Sequence, residues 1–288
     1  LVGRHGATRA GTGAPTGASS GRLGQCPRYQ QLAPDEEDEM SATEMRETNM
    51  RTELAGQTVV VIGGTAGIGL STARRAHEFG ADVVVAARHE EPLQRVADEL
   101  GARTSALDAT DPDRLERFFA DLGGPVDHLM LTGPGPYYAR LADFDFDAAA
   151  HDLATHVLLP LRVARESVGR LRPGGCLLFM GGTGGRRTAP GFSLISALTA
   201  AGPAMTRNLA LELAPVRVNM IAAGFVDTPL SAELLGDGLE ARREELRSTL
   251  PIRRVVGPED IAALAVHLMT NTALTGATYD IDGGQQLV

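Results

Sequence analysis

Apolar residues in this chain fall into short unbroken runs, separated by glycine turns and by stretches of helical period. The first run, Val59-Val60-Val61-Ile62, meets the cluster Gly63-Gly64-Thr65-Ala66-Gly67-Ile68-Gly69, and a helical pattern then covers Leu70–Phe79. A β-branched run without polar alternation reads as a strand covered on both faces, which belongs in a parallel sheet. Gly80 stops the helix and Asp82–Ala87 is the second buried run, which completes one βαβ unit.

The same rhythm continues. Glu91–Leu100 reads as a helix ended by Gly101, Arg103–Leu107 as a strand, and Asp111-Pro112 as the cap of the next helix, with proline at its first position. Asp127–Thr132, Gly175–Met180, the run from Val216, and Ala277–Asp282 supply the remaining strands. Helical patterns cover residues 146–171, 192–213 and 229–248, and another begins at Gly257-Pro258. Strands alternating with helices predict an α/β fold, with a doubly wound, mainly parallel seven-stranded sheet and helices on both faces.

Residues 1–50 break this rhythm: they are rich in Gly, Ala, Ser, Thr and Arg, then carry the acidic run Asp35–Glu39. They read as a disordered extension. The chain opens on Leu, and Met40, Met45 or Met50 reads as the real initiator, in which case the tail has no function.

A net charge of −9 argues against nucleic acid as a partner, because phosphate contacts need clustered cations. No apolar stretch approaches the roughly 20 residues that span a bilayer. Cys26 and Cys176 lie far apart without metal-ligand spacing, so neither a disulfide framework nor a metal site is expected, and a reducing cytoplasm fits. All 27 basic side chains are arginine, so no lysine ammonium exists for any mechanism.

The glycine cluster is the first candidate for chemistry. Strand, glycines and helix arrive in the order that aims unpaired helix N–H groups and a positive dipole end at an anion, for which a nucleotide diphosphate is the usual occupant. Where an acidic residue at the end of the second strand would hold a ribose 2′-hydroxyl, this chain has Ala87-Arg88. A guanidinium there accommodates a 2′-phosphate, which favours NADP over NAD.

The segment Ile62-Gly63-Gly64-Thr65-Ala66-Gly67-Ile68-Gly69 resembles the T-G-x-x-x-G-I-G turn of the short-chain dehydrogenases/reductases, with Ile62 in place of Thr. The resemblance runs from Leu54 to Val288 and implies a Rossmann-like domain over residues 54–288, with a substrate-covering flap near 229–248. It implies a cofactor site built from Gly63, Thr65, Gly67, Ile68 and Gly69 in the turn and Arg88 after the second strand. Asp108 and Ala109 follow the third strand, Gly133 the fourth, and Gly224, Val226 and Thr228 the sixth. The last three match the family's P-G-x-V-x-T turn, with Ala223 replacing Pro.

The catalytic half departs from the pattern. Aligning Phe192–Ala201 with the family's Y-x-x-x-K helix puts Ile195 at the tyrosine, Thr199 at the lysine and Gly182 at the serine. In the family, tyrosine exchanges a proton with the substrate oxygen and lysine lowers the phenol pKa; Ile195 can do neither. Pro160 cannot donate a helical bond to the carbonyl of His156, and His156 aligns with the family's catalytic Asn, whose carbonyl holds a relay water. Replacement groups are therefore sought in His156, Tyr138 and Tyr137, with Thr183 standing in for the serine, while Arg186-Arg187 could meet an anionic substrate.

Two readings stay open. One is a divergent NADP(H)-dependent oxidoreductase acting on a small-molecule carbonyl or alcohol with a non-standard acid/base group. The other is a non-catalytic NADP(H)-binding sensor or partner subunit. A hydride transfer needing no strong acid, or a lyase-like reaction, has no positive support in the residues. The resemblance also implies a homodimer or homotetramer formed through the 146–171 and 192–213 helices, with no membrane partner.

Overall fold

The computed structural model describes residues 53–288; the readings of residues 1–50, of the initiator methionines and of Cys26 lie outside the described residues. The first half runs β1 (Thr58–Ile62), α1 (Gly67–Glu78), β2 (Asp82–Ala87), α2 (Glu90–Leu100), β3 (Arg103–Ala106), α3 (Pro112–Asp121) and β4 (Val126–Leu131). The second runs α4 (Phe146–Leu153), a π turn (Ala154–Leu158), α5 (Leu159–Ser167), β5 (Leu171–Gly182) and α6 (Ser193–Glu212). It ends with β6 (Arg217–Ala223), α7 (Pro229–Leu235), α8 (Leu239–Thr249), α9 (Pro258–Thr270) and β7 (Thr278–Ile281). The seven strands lie in the order β3-β2-β1-β4-β5-β6-β7, and every pairing is parallel.

The unbroken apolar runs are explained by two separate cores. Val59 and Val61 of β1 face a cluster that includes Ala73 and Ala76 of α1 and Ile261 and Ala265 of α9. Val60 and Ile62 face the opposite cluster, with Leu115, Phe118 and Phe119 of α3, Val163 of α5 and Leu209 of α6. A strand covered on both sides has no solvent face, so its sequence does not alternate.

Most predicted boundaries fall within a residue or two of the observed ones, and Asp111 caps α3 as expected, its Oδ1 accepting from the Asp113 and Arg114 N–H groups at 3.0 and 3.1 Å. The helix expected over 146–171 is instead interrupted by the π turn and ends at Ser167. The Leu159 N–H reaches back five residues to the Ala154 carbonyl, so the break before Pro160 is absorbed as a widened turn. Val168 then turns to extended backbone and Gly169 to φ +73°, which ends the helix and starts β5 at Leu171, earlier than the predicted Gly175. Helix α1 also starts earlier than expected, at Gly67.

At the N-terminal strand ends lie two buried basic groups, one of which fixes the end of α9. The guanidinium of Arg217, only 5% exposed, donates to the carbonyls of Gly174, Leu268, Met269, Asn271 and Leu274 at 2.6–3.2 Å. Leu268 and Met269 belong to the last turn of α9, whose carbonyls lack helical donors and whose dipole end favours a cation. Arg217→Met, which keeps the apolar stem and removes all these donors, is expected to destabilise the fold by about 3 kcal/mol or more, read as a lower denaturant midpoint at unchanged slope.

His128 on β4 is also buried, with Nε2 2.7 Å from Gln57 Oε1 and Nδ1 lacking a partner among the described residues. Burial first, and the charge of Arg217 second, push its imidazole down from 6.5 to about 4. Above pH 6.5 the ring is neutral in folded and unfolded chains alike. As pH falls below that value the unfolded chain takes up a proton that the folded chain refuses, so stability is lost on acidification, by about 3 kcal/mol over the whole window. His128→Gln is expected to flatten this part of the stability–pH curve.

Cys176 is a buried free thiol pushed up to about 11 by its burial, which leaves it unreactive. Among the described residues, no helix is long and apolar enough to cross a membrane, and no three His, Cys, Asp or Glu side chains are grouped to hold a metal ion.

Candidate functional site

The strand order reverses between β1 and β4, and in open parallel sheets ligands bind in the crevice beyond the carboxyl ends of such strands. The residues singled out from the sequence converge there. Gly63 leaves β1 with φ +89°, and a Cβ on it would stand 2.1 Å from Thr132 Oγ1. Thr132, just after β4, ties the two strands together, its hydroxyl donating to the Ile62 and Gly63 carbonyls at 3.1 Å each.

Helix α1 begins immediately above this turn. A Cβ on Gly69 would stand 2.2 Å from the Gly63 carbonyl oxygen, so only glycine lets the helix start so low on its strand. Its N-cap, Ala66, offers no side-chain hydrogen bond and its first turn holds no acidic residue. The N–H groups at the helix start are thus left to an outside acceptor, in a helix of 12 residues whose dipole adds to the attraction for an anion. Ile68 packs into the core beneath, and Thr65 is half-buried in the turn.

The neighbouring strand ends supply the rest of the cradle. Arg88, after β2, is exposed and makes no ion pair or hydrogen bond among the described residues. It lies close enough to Asp108 to lower that carboxyl further, although the larger cause is the Thr110 side chain and N–H, both donating to Asp108 Oδ1 at 2.7 and 3.0 Å. Ala109 packs against the lower core. After β6, the Gly224 N–H donates to the Ile281 carbonyl, and Val226 pairs with Val256. Thr228 caps α7 by accepting from the Ser231 N–H, and it also touches the glycine turn, standing 3.2 Å from where a Gly67 Cβ would lie.

At the catalytic end the structure separates the candidates. His156, on the π turn, faces Gly133: its Nε2 lies 4.0 Å from the position of a Gly133 Cβ. Its other nitrogen is held by Asp152, with Nδ1 3.0 Å from Oδ1. Tyr138 is 47% exposed, its ring against Phe192 at 5.2 Å and its hydroxyl 3.9 Å from the position of a Gly184 Cβ, beside the end of β5. Burial, with the negative charge of Asp152 second, raises its phenol above the usual value, so the group stays protonated and acts as a hydrogen-bond donor.

Tyr137 does not join them. Its hydroxyl accepts from the Asp145 N–H at 2.9 Å at the start of α4 and its ring packs edge-on against Phe144, which makes it part of a helix cap. Thr183 is 2% exposed at the end of β5, with its N–H committed to the Ala223 carbonyl. Arg186 is engaged by Asp280 in a paired salt bridge and is not available to an anionic substrate, whereas Arg187 stays exposed.

The residues aligned from the sequence with the family's catalytic positions lie at the end of β5 and on α6. The short turn Gly184–Arg186 lies so near α6 that a Cβ on Gly185 would stand 2.5 Å from Thr199 Oγ1 and 2.6 Å from the Ile195 carbonyl. Ile195 is buried, Gly182 ends β5, and the Thr199 hydroxyl is buried without a partner among the described residues. Above the crevice, the flap reaches across the β4 loop: Leu230 and Leu234 of α7 stand 3.1 and 3.4 Å from the position of a Gly135 Cβ. The flap itself is tied to β6 by the Asp227–Arg243 pair, at 2.7 and 2.9 Å.

Asp152 was absent from the sequence reading. Its signal was the spacing Asp152-x-x-x-His156, which puts both side chains on one helix face.

Comparison with known proteins agrees with this geometry. The family described as Enoyl-(Acyl carrier protein) reductase matches residues 63–286. The chain is 30% identical over 251 residues to the short-chain dehydrogenase/reductase ATR9 of Stachybotrys chlorohalonatus, covering 80% of this chain and 97% of that protein. It is 30% identical over 249 residues to dehydrogenase/reductase SDR family member 4 of Sus scrofa, covering 81% and 88%. Among solved structures, a small-chain dehydrogenase in complex with NADPH superposes with a TM-score of 0.70 at 29% identity, covering 81% of this chain and 99% of that one.

The turn's dependence on a missing side chain is measurable. Gly69→Ala is expected to destabilise the protein by about 1–3 kcal/mol through overpacking. Gly124→Ala, at a site with nothing within 4 Å of the new Cβ, is expected to leave the midpoint of a denaturant titration unchanged.

Proposed function

The chain belongs to the short-chain dehydrogenase/reductase family, and from that premise we propose that it is an NADP(H)-dependent oxidoreductase of a small-molecule carbonyl or alcohol that works without the Y-x-x-x-K pair. The observation that carries the reading is the contrast between the two halves of the crevice. On the nucleotide side, the glycine turn, the α1 N–H groups, Arg88 and Asp108 form a cradle suited to a phosphorylated dinucleotide. The bare helix start fits a diphosphate, and the unpaired Arg88 guanidinium fits a 2′-phosphate by paired, charge-assisted hydrogen bonds. The solved relative in complex with NADPH supports the same cofactor.

On the substrate side, the dinucleotide when bound supplies or accepts hydride, and this chain's residues must orient the substrate oxygen and handle one proton. Tyr138, protonated and beside the end of β5, orients that oxygen by donating a hydrogen bond, as the lost serine would have done. His156 stands on the π turn with Nε2 at the Gly133 end of the crevice. The flap leucines Leu230 and Leu234 cover the crevice and exclude water.

A second reading has its own observation in favour. The Gly184–Arg186 turn presses onto Ile195 and Thr199, as expected of a protein that keeps the nucleotide and has abandoned the family's chemistry. In that case the chain is a non-catalytic NADP(H)-binding sensor or partner subunit. Under either reading we infer a homo-oligomer, because α4 and α5 leave Phe146, Leu153 and Leu161 exposed and α6 leaves Leu211 exposed.

Titration of the full-length protein with NADPH and NADH, followed by NADPH oxidation over a panel of carbonyl and enone compounds, tests the readings. NADPH is expected to bind more tightly than NADH, and Arg88→Ala to weaken NADPH by about tenfold or more, ~1.4 kcal/mol, with little effect on NADH. Turnover on any panel member supports the oxidoreductase, tight NADPH binding with no turnover favours the sensor or partner, and failure to bind either nucleotide overturns both.

A further inference from the structure

We propose that Asp152 and His156 form a proton-handling pair, with His156 Nε2 as the atom that exchanges a proton with the substrate oxygen and Asp152 as the residue that positions the ring; this rests on the oxidoreductase reading above. The pair stands four residues apart across the junction of α4 and the π turn. Asp152 is 4% exposed; among the described residues its Oδ2 accepts from the Tyr137 N–H at 3.3 Å and its Oδ1 stands at ion-pair distance, 3.0 Å, from His156 Nδ1, whose hydrogen bond goes to the Asp152 main-chain carbonyl. No arginine pairs with it among the described residues.

The partners of Nδ1 decide where the imidazole carries its proton. Besides Oδ1, Nδ1 lies 3.0 Å from the Asp152 carbonyl and 3.3 Å from Thr155 Oγ1, whose own proton points to the His151 and Asp152 carbonyls at 3.1 Å. A carboxylate and a carbonyl can only accept, so Nδ1 is protonated and the lone pair of the neutral ring is on Nε2. That nitrogen faces the Gly133 end of the crevice. The imidazole is 22% exposed, enough to exchange protons with water while its orientation is held from below.

The electrostatic surroundings favour the same role. A buried carboxylate without an arginine partner is stabilised whenever the imidazole beside it is positively charged. The Tyr138 phenol is within electrostatic reach of Asp152, and residues 193–206 of α6 carry no ionisable side chain. In the reductive direction the substrate carbon receives hydride from the reduced dinucleotide, and the π pair of the C=O bond moves onto oxygen. That oxygen takes the Nε2 proton, leaving a neutral ring still protonated on Nδ1, which solvent reloads. Oxidation of an alcohol runs the same steps backwards.

The experiment uses full-length protein labelled with nitrogen-15 at histidine, with NADPH as the added probe. The expected spectrum assigns His156 to the form with Nδ1 protonated and Nε2 bare, the minor form of a free imidazole. Asp152→Asn, whose amide can offer an N–H to the same nitrogen, shifts the ring toward the other form, and Asp152→Glu restores it in part. His156→Gln is expected to lower kcat on a panel substrate by about 10²–10⁴-fold. Asp152→Asn is expected to lower kcat about tenfold, and both variants keep NADPH affinity within about twofold of wild type. A wild-type His156 protonated on Nε2 overturns the pair whatever the turnover, and full kcat in both variants overturns the proton step. Absence of any NADPH oxidation by wild type overturns the oxidoreductase reading and the proton step with it, and in that case the Nδ1-protonated signature marks a structural hydrogen bond alone.

Discussion

Because Gly69 carries no side chain, α1 starts at a depth where a Cβ would stand 2.2 Å from the Gly63 carbonyl, and the first turn of the helix is set directly over the end of β1. The rest of the crevice is arranged around that close approach. It aims the unpaired N–H groups of the helix at one point, it brings Gly67 against Thr228 across from β6, and it leaves Gly63 near enough to β4 for Thr132 to bond to the backbone of the turn. Three strands that are distant in sequence are thereby joined at their upper ends through the Thr132 hydroxyl and the Thr228 side chain. Arg217 performs the corresponding task at the lower ends, where one guanidinium gathers carbonyls from β5, α9 and the segment before β7.

The two halves of the crevice are built from different parts of the chain. The nucleotide half is made mostly of backbone: glycines, helix N–H groups and strand ends, with Arg88 and Asp108 as the charged additions. The other half is lined by Gly182 at the end of β5 and by Ile195 and Thr199 of α6, while the Tyr138 phenol and the His156 imidazole, the latter beside a buried carboxylate, come from the segment between β4 and α5.

The parts of this arrangement that depend on local rules were legible in the sequence. Val59–Ile62 and Asp82–Ala87 read as parallel strands because residues buried on both faces leave no alternation. Asp111 read as a cap because proline follows it and the N–H groups of the first turn are within its reach. The parts that depend on three-dimensional choice were not. Pro160 announced a missing hydrogen bond but not that the chain would absorb it as a π turn. Tyr137 and Tyr138 are neighbours of identical chemistry, and which of them would cap α4 and which would reach β5 is decided by how the β4 loop crosses Phe144 and Phe192. Asp152 looked like one acidic residue among 36 acidic side chains until its burial set it apart. Arg186 was offered to a substrate because its distant partner, Asp280, lies on the last strand.

Gly185 couples the end of β5 to α6. A Cβ on it would stand 2.5 Å from Thr199 Oγ1 and 2.6 Å from the Ile195 carbonyl, so the loop after β5 lies directly on the helix main chain. The two elements move as one piece: a larger residue at 185 has to lift the loop from α6, and the end of β5 is carried with it.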